Sequence, residues 1–229
     1  SLKLGNKAKF TVFKNFGTAM IEYNNENYEF VGARKESYRR TSRKPIVENG
    51  TLEDDQNRRD FTINAMYIQL NSVNYGTLID PFNGIQDLKN KIIKTPLNPE
   101  KTYIDDPLRM MRAVRFASQL NFTIEKKSYN SIFLNAKRLS IISQERITEE
   151  LNKIILSDFP SKGFQILFET QLLHQFFPEM VKLHGVEKIG KHEHKDNFYH
   201  TLKVLDNISK NTKNIWLRWA AILHDIAKP

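Results

Sequence analysis

Apolar and polar residues alternate through Phe10-Thr11-Val12-Phe13, Ala19-Met20-Ile21-Glu22-Tyr23 and Tyr28-Glu29-Phe30-Val31. A period of two is the pattern of β-strands. The Asn-rich link from Asn24 to Asn27 joins the last two as a hairpin. Strand alternation places Tyr28 and Phe30 on one face and Glu29 on the other, so Glu29 projects from a sheet. Residues 34–57 carry little apolar periodicity and read as a long, mobile, basic loop; loops of that length inside a compact domain are usually functional or disordered. Thr62 to Leu70 is helix-compatible or mixed, and Gly76 to Pro81 reads as a short strand ending in a turn.

Helical signals dominate beyond about residue 95. Asp106 is a good helix cap with Pro107 in the first turn, which predicts a helix running to about Leu120. Glu125 to Asn135, Gln144 to Leu156, Ser161 to Thr170, Thr201 to Ser209 and Ile215 to Ala227 read as further helices. The expected fold class is therefore α+β, a strand-rich start followed by an all-helical remainder.

The chain has 229 residues, enough for a sizeable core in one or two domains. Zero cysteines exclude a disulfide scaffold, a zinc ribbon and a thiol nucleophile. No apolar run approaches the ~20 residues of a membrane span and the start is not a secretory signal, so a cytoplasmic site is expected by default. The formal net charge of +9, from 35 Lys and Arg against 26 Asp and Glu, favours a polyanionic partner, because neutralising phosphates releases counterions and steers association. Arginines at 34 to 43, Arg34, Arg39 and Arg40 among them, and at 109 to 115 sharpen that expectation.

The most informative segment is Arg58-Arg59-Asp60-Phe61-Thr62-Ile63-Asn64-Ala65. Guanidinium groups fork onto phosphate oxygens while a carboxylate accepts from sugar hydroxyls, so this cluster suits a nucleoside triphosphate; an ion pair opening a helix is the plainer reading. On a helix advancing ~100° per residue, Arg109, Arg112 and Arg115 share one face. No Asp or Glu lies three or four residues from Arg112 or Arg115, so local ion pairing does not account for them, and the face either bridges to carboxylates of a neighbouring domain or is presented to phosphate and base. Asp106 and Arg109, one turn apart, can together present the donors and acceptors that distinguish C and A, although a capping Asp followed by an Arg is by itself usually structural.

The octet and Asp105-Asp106-Pro107-Leu108-Arg109-Met110-Met111-Arg112-Ala113-Val114-Arg115-Phe116, with Asp80-Pro81-Phe82-Asn83-Gly84, Asp87-Leu88, Glu145-Arg146-Ile147, Glu150-Leu151, His200 and His224-Asp225, resemble the class II tRNA nucleotidyltransferase and bacterial poly(A) polymerase family. The resemblance covers nearly the whole chain. It implies a partial polymerase-β-like nucleotidyltransferase head over 1–95, a helical neck and body over 96–190, and the start of an HD-type helical region over 191–229. It further implies transfer of CMP or AMP from CTP or ATP to the 3′ end of tRNA or other RNA. Arg58, Arg59, Asp60 and Asn64 would hold sugar and phosphates, Asp106 and Arg109 the base, Arg112 the nucleotide, and Arg34, Arg39, Arg40 and Arg115 the RNA. Asp105 stands where the family's Glu-Asp-x-x-Arg motif has Glu. Glu29 matches the acidic strand residue before the family's flexible loop and is a candidate Mg²⁺ ligand and, with Asp60, a catalytic carboxylate.

The family's Gly-rich turn and Asp-x-Asp pair have no counterpart between Ser1 and Arg58. The chain is thus expected to be a fragment that starts inside the catalytic domain and does not transfer nucleotides unaided, since two-metal phosphoryl transfer needs several carboxylates. His200, His224 and Asp225 resemble the start of an HD metal site that also needs a later Asp. Alternatives are a poly(A) polymerase, an RNA-binding module alone, and an HD-type metal-dependent phosphohydrolase.

Overall fold

The computed structural model describes residues 8–13, 17–39, 42–185, 188–189, 192–193 and 196–228. The fold class is α+β, with small sheets and many helices. The chain divides into two units, residues 1–37 with 45–58, and residues 38–44 with 59–229.

In the first unit, β1 (Ala8–Phe13), β2 (Thr18–Tyr23) and β3 (Glu26–Val31) form an antiparallel meander with β2 central. Asn24 and Asn25 both take positive φ, 52° and 63°, which fits a two-residue turn matched to strand twist. The register sets Ile21 between Phe10 and Tyr28, and Met20 between Thr11 and Glu29. Glu29 therefore shares the face opposite Tyr28 and Phe30, as alternation requires.

The expected loop over 34–57 is a correction. β4 (Arg34–Arg39) and β5 (Ser42–Asn49) pair as a two-stranded ribbon, and α1 (Leu52–Asn57) follows. Arg34 and Glu36 are half-buried while Lys35 and Ser37 are exposed, so a strand period is present but is written in charged residues, which an apolar count cannot register. Gly50 closes the ribbon by donating to the Ala33 carbonyl at 3.1 Å, and a Cβ there would lie 2.5 Å from the Lys35 nitrogen. α1 begins with a capping box: the Thr51 hydroxyl accepts from the Asp54 amide, and the Asp54 carboxylate accepts from the Thr51 amide at 2.8 Å. The Thr51 amide and hydroxyl, both donating to it, hold the Asp54 carboxyl below its ordinary range.

The second unit opens with a short 3-10 turn, Thr62–Asn64, then β6 (Tyr67–Ile68) paired antiparallel with β7 (Leu78–Ile79), so the segment expected to be helical or mixed is mixed. α2 (Gly84–Lys89), β8 (Ile92–Ile93) and α3 (Pro99–Asp105) come next; α2 and α3, six and seven residues long, are too short to show helical periodicity. α4 (Leu108–Leu120) ends at Asn121, whose positive φ of 54° turns the chain into β9 (Thr123–Ile124), parallel to β8. α5 (Lys126–Asn135), α6 (Gln144–Ile155), α7 (Pro160–Glu169), α8 (Leu173–Phe176) and α9 (Pro178–Val181) lead through β10 (Lys188–Ile189) and β11 (His192–Glu193) to α10 (Asn197–Ser209) and α11 (Ile215–Leu223).

α4 is the axis of this unit. Met110, Met111, Ala113, Val114 and Ala117 are fully buried and pack with Phe61, Tyr103, Ile154, Phe164 and Phe198 in one core. Gly163 lets α7 close on its neighbours, because a Cβ there would stand 2.4 Å from Ile154 Cγ2. At the far end, Arg218 is fully buried and, among the described residues, makes no salt bridge to a carboxylate. Its guanidinium donates to the carbonyls of Ile155 (2.6 Å), Ser157 (2.8 Å), Ser209 (2.7 Å) and Thr212 (2.9 Å). It thereby satisfies carbonyls that the ends of α6 and α10 leave without helical donors.

Candidate functional site

Asp60 is buried just ahead of the 3-10 turn, and its carboxylate joins three donors. Oδ1 accepts from the Phe61 amide at 3.0 Å and from Asn64 Nδ2 at 3.1 Å, while Oδ2 accepts from Arg112 Nε at 2.6 Å. The octet is thus tied to α4 across 52 residues of sequence. Phe61 fixes that geometry from below: it is fully buried and meets the edge of Phe116 at 5.7 Å between centroids. Phe116 in turn carries two guanidinium groups, Arg112 at 5.5 Å and Arg115 at 4.2 Å from its ring centre. Phe116 was missed as a site residue; its place four residues after Arg112 and next to Arg115 was the available signal.

The other arginines of the octet and of α4 divide by partner. Arg58 is held by Asp55, at 2.9 Å to Nε, and by Glu36, at 3.2 Å to Nη1. Arg59 sits 5.7 Å from the Tyr67 ring centre. Arg115 is 3.1 Å from Glu150, an ion pair whose geometry falls short of a hydrogen bond, and Glu150 also takes Lys153 at 3.0 Å. Of the two readings left open for these arginines, a bridge to a carboxylate of a neighbouring expected domain describes Arg112, whose partner Asp60 lies in the expected head, and not Arg115, whose partner Glu150 lies in the same expected neck and body.

Asp106 and Arg109 lie at the start of α4. The Asp106 carboxylate accepts from the Leu108 amide at 3.1 Å and its carbonyl from the Arg109 amide at 3.0 Å, so the expected cap is present. Both side chains are half-buried. Arg109 and Arg112 follow one turn apart on α4, which sets Asp106, Arg109 and the Arg112–Asp60 pair in succession along one helix.

Glu29 is exposed on β3 and joins no group of three metal-ligating side chains among the described residues. Arg34 is half-buried on β4, with Nε buried and lacking a hydrogen-bond partner among the described residues. Arg39 belongs to β4 by its backbone, and Arg40 lies outside the described residues. His200, His224 and Asp225 do come together, with ligand atoms all within 4.8 Å of one another. His224 Nδ1 is 2.8 Å from the Ala221 carbonyl, so that nitrogen carries the proton and Nε2 faces Asp225 at 3.2 Å. Lys228 donates to Asp225 at 2.8 Å and, with the two imidazoles, holds its carboxyl below the ordinary range.

Residues 3–94 match the family described as "Poly A polymerase head domain", and residues 121–183 match "Probable RNA and SrmB- binding site of polymerase A". The CCA-adding enzyme of Lactobacillus helveticus is 45% identical over 160 residues, covering 68% of this chain and 39% of that protein. The chain belongs to the class II tRNA nucleotidyltransferase and bacterial poly(A) polymerase family. Another family member, the A-adding tRNA nucleotidyltransferase of Aquifex aeolicus, is 41% identical over 155 residues, 68% of this chain and 18% of that protein. Among solved structures, the Bacillus stearothermophilus CCA-adding enzyme in complex with CTP matches with a TM-score of 0.69 and 28% identity, over 96% of this chain and 50% of that chain. The chain therefore spans less than half the length of these two curated family members.

Asp105, where the family motif has Glu, is strained electrostatically. Burial raises its carboxyl above the ordinary range, against the opposing pull of Lys101, Arg109 and Arg138. The folded state thus holds the Asp105 proton more tightly than the unfolded chain, and ionisation penalises folding once pH exceeds both pKa values. Asp105→Asn is expected to raise Tm at pH 7, with a gain that shrinks as pH falls through the raised folded-state pKa and vanishes below the ordinary aspartate value of about 4. Paired thermal melts of the two proteins across that range check the sign.

Proposed function

We propose that this chain carries the nucleotide-reading and RNA-contacting part of a tRNA nucleotidyltransferase, whose whole reaction joins CMP or AMP from CTP or ATP to an RNA 3′ end. The carrying observation is the Asp60–Arg112 pair, which puts Asp60 beside α4, whose first turn carries Arg109 and is preceded by Asp106. Asp106 accepts from the exocyclic amino group of C or A, and Arg109 donates to a ring nitrogen or carbonyl oxygen, a pairing that G and U do not match. Asp60 and Asn64 meet the ribose. Arg58, Arg59 and Arg112 meet the phosphates, because forked guanidinium donors suit phosphate oxygens.

In the reaction the RNA 3′-hydroxyl attacks the α-phosphorus, the bond to the leaving pyrophosphate breaks, and the hydroxyl proton passes to a base. Mg²⁺ would supply charge neutralisation at the phosphates. Asp60 is the carboxylate of the octet proposed to serve that chemistry, and Glu29 is a separate candidate Mg²⁺ ligand by its place before the basic segment; neither makes a two-metal site by itself. The helical part contacts RNA mainly by shape and backbone, and Arg34, Arg39 and Arg40, in the basic segment of the head, are candidate phosphate partners; Arg115, held by Glu150 and nearly buried, is not among them. The proposed arrangement is a head to residue 95, a neck and body to 190 and the start of an HD-type region thereafter, in a cytoplasmic protein; no helix among the described residues is long and apolar enough to cross a membrane.

Titration of the chain with each of the four nucleoside triphosphates in Mg²⁺ tests the reading. Saturable binding of ATP and CTP over GTP and UTP is expected, and Asp106→Ala should weaken ATP and CTP by about 10- to 100-fold, the worth of one bidentate base contact. Equal binding of all four nucleotides, or none, rejects it.

The clustering of His200, His224 and Asp225 favours a second, separate role in holding a divalent transition metal. Two imidazole Nε2 atoms and a carboxylate suit such an ion, which would displace the Lys228 ammonium from Asp225. Mn²⁺ or Ni²⁺ should then raise Tm in the parent chain and not in His224→Ala; identical responses in both refute the site.

A further inference from the structure

Thr62 stands between Asp60 and Asn64 and contributes nothing to the proposed nucleotide contacts, yet its amide, hydroxyl and carbonyl are all engaged. Its amide donates to the Lys94 carbonyl at 2.9 Å. Its hydroxyl donates to Asp87 Oδ2 at 2.7 Å, with both residues buried. Its carbonyl accepts from the Ala65 amide at 3.1 Å and lies against Gly84, where a Cβ would stand only 2.4 Å from the Thr62 oxygen and 2.9 Å from its carbon. No side chain larger than hydrogen fits that approach without moving the backbone of the octet.

The element that presses on Thr62 is itself fixed. α2 is a two-turn helix too short to persist alone, and the Asp80 carboxylate accepts from both amides of its first turn, Gly84 at 2.6 Å and Ile85 at 2.9 Å. Asn83, at positive φ of 58°, turns the chain so that Asp80 can reach back to them. Asp87 then faces Thr62 one turn along α2 from Gly84.

We propose that Thr62, Gly84 and Asp87 form a latch that positions the Asp60 carboxylate against Arg112, so that they are positioning residues of the nucleotide site. The proposal rests on the nucleotide-site reading above for its consequence, but the latch itself is a statement about the protein without nucleotide. The hydroxyl bond and the bare Cα of Gly84 hold Thr62 from two sides. Asp60, two residues before it, and Asn64, two residues after it, are thereby set at the 3.1 Å spacing that leaves Oδ2 turned toward Arg112.

Amide and guanidinium NMR of the 229-residue chain separates the two statements. The Arg112 Nε–Hε resonance, assigned by its loss in Arg112→Lys, should be shifted and slow to exchange in the parent. It should move to the position and exchange rate of an exposed guanidinium in Thr62→Val, which keeps shape and loses the hydroxyl, and be restored in Thr62→Ser. Arg218 Nε–Hε, bonded to the Thr212 carbonyl, should stay unchanged throughout. ATP affinity should fall at least about tenfold in Thr62→Val and recover in Thr62→Ser, the scale expected when a supporting contact lets a binding group drift. If Thr62→Val does not fold, Asp87→Asn carries the same test with a smaller displacement in the same direction. An Arg112 resonance unchanged in Thr62→Val overturns the latch, as does one that changes together with Arg218. A parent chain that shows the resonance changes but binds no ATP leaves the latch standing and removes the nucleotide reading.

Discussion

A carboxylate withdrawn from water must be matched by donors, and Asp60 is matched three times, by the Phe61 amide, the Asn64 amide group and the Arg112 guanidinium. Deep burial without such partners costs several kcal/mol, and a buried pair with one partner removed is destabilised by about 3–5 kcal/mol. Arg112 keeps a third of its side chain exposed, so the cost here falls short of that range while the guanidinium stays within reach of a ligand. The same pair that joins the octet to α4 can therefore also answer to an incoming anion.

Everything around Asp60 serves to keep it there. Phe61 drives the backbone into the core, Phe116 caps that ring and carries the cations of α4, and α2 clamps Thr62. The arginines of α4 are consequently not alike. Arg115 is spent on Glu150 and is nearly withdrawn from solvent, at 11% side-chain exposure, whereas Arg112, at 33%, lies in line with Asp106 and Arg109. In the proposed reading, base recognition and phosphate contact come from successive turns of one rigid helix, which is more precise than loops for this purpose.

Much of this was legible in the residues. The alternation over β1 to β3, a turn within Asn24 to Asn27, the cap at Asp106 and most of the long helices follow from period and capping chemistry, and the octet with its downstream arginines marked the candidate site. Other features lay beyond local pattern. The β4–β5 ribbon alternates in charge rather than in apolarity, so its period was invisible to a hydrophobic count, and the Thr51–Asp54 capping box was hidden inside what read as a polar loop. The partners of Arg112 and Arg115 are 52 and 35 residues away in sequence, and no local rule connects them. Arg218 reads as one cation in an apolar helix, and only the fold supplies the four carbonyls that explain it.

The family to which the chain belongs and the geometry of α4 lead to one claim, that Asp60 and Arg112 act as a unit in holding nucleotide. A double-mutant cycle read by ATP affinity addresses it directly, with Asp60→Asn, Arg112→Lys and the two combined. If the claim holds, each single change weakens ATP and the double loses little more than the worse single. Losses that add independently, or an affinity untouched by either change, would contradict it.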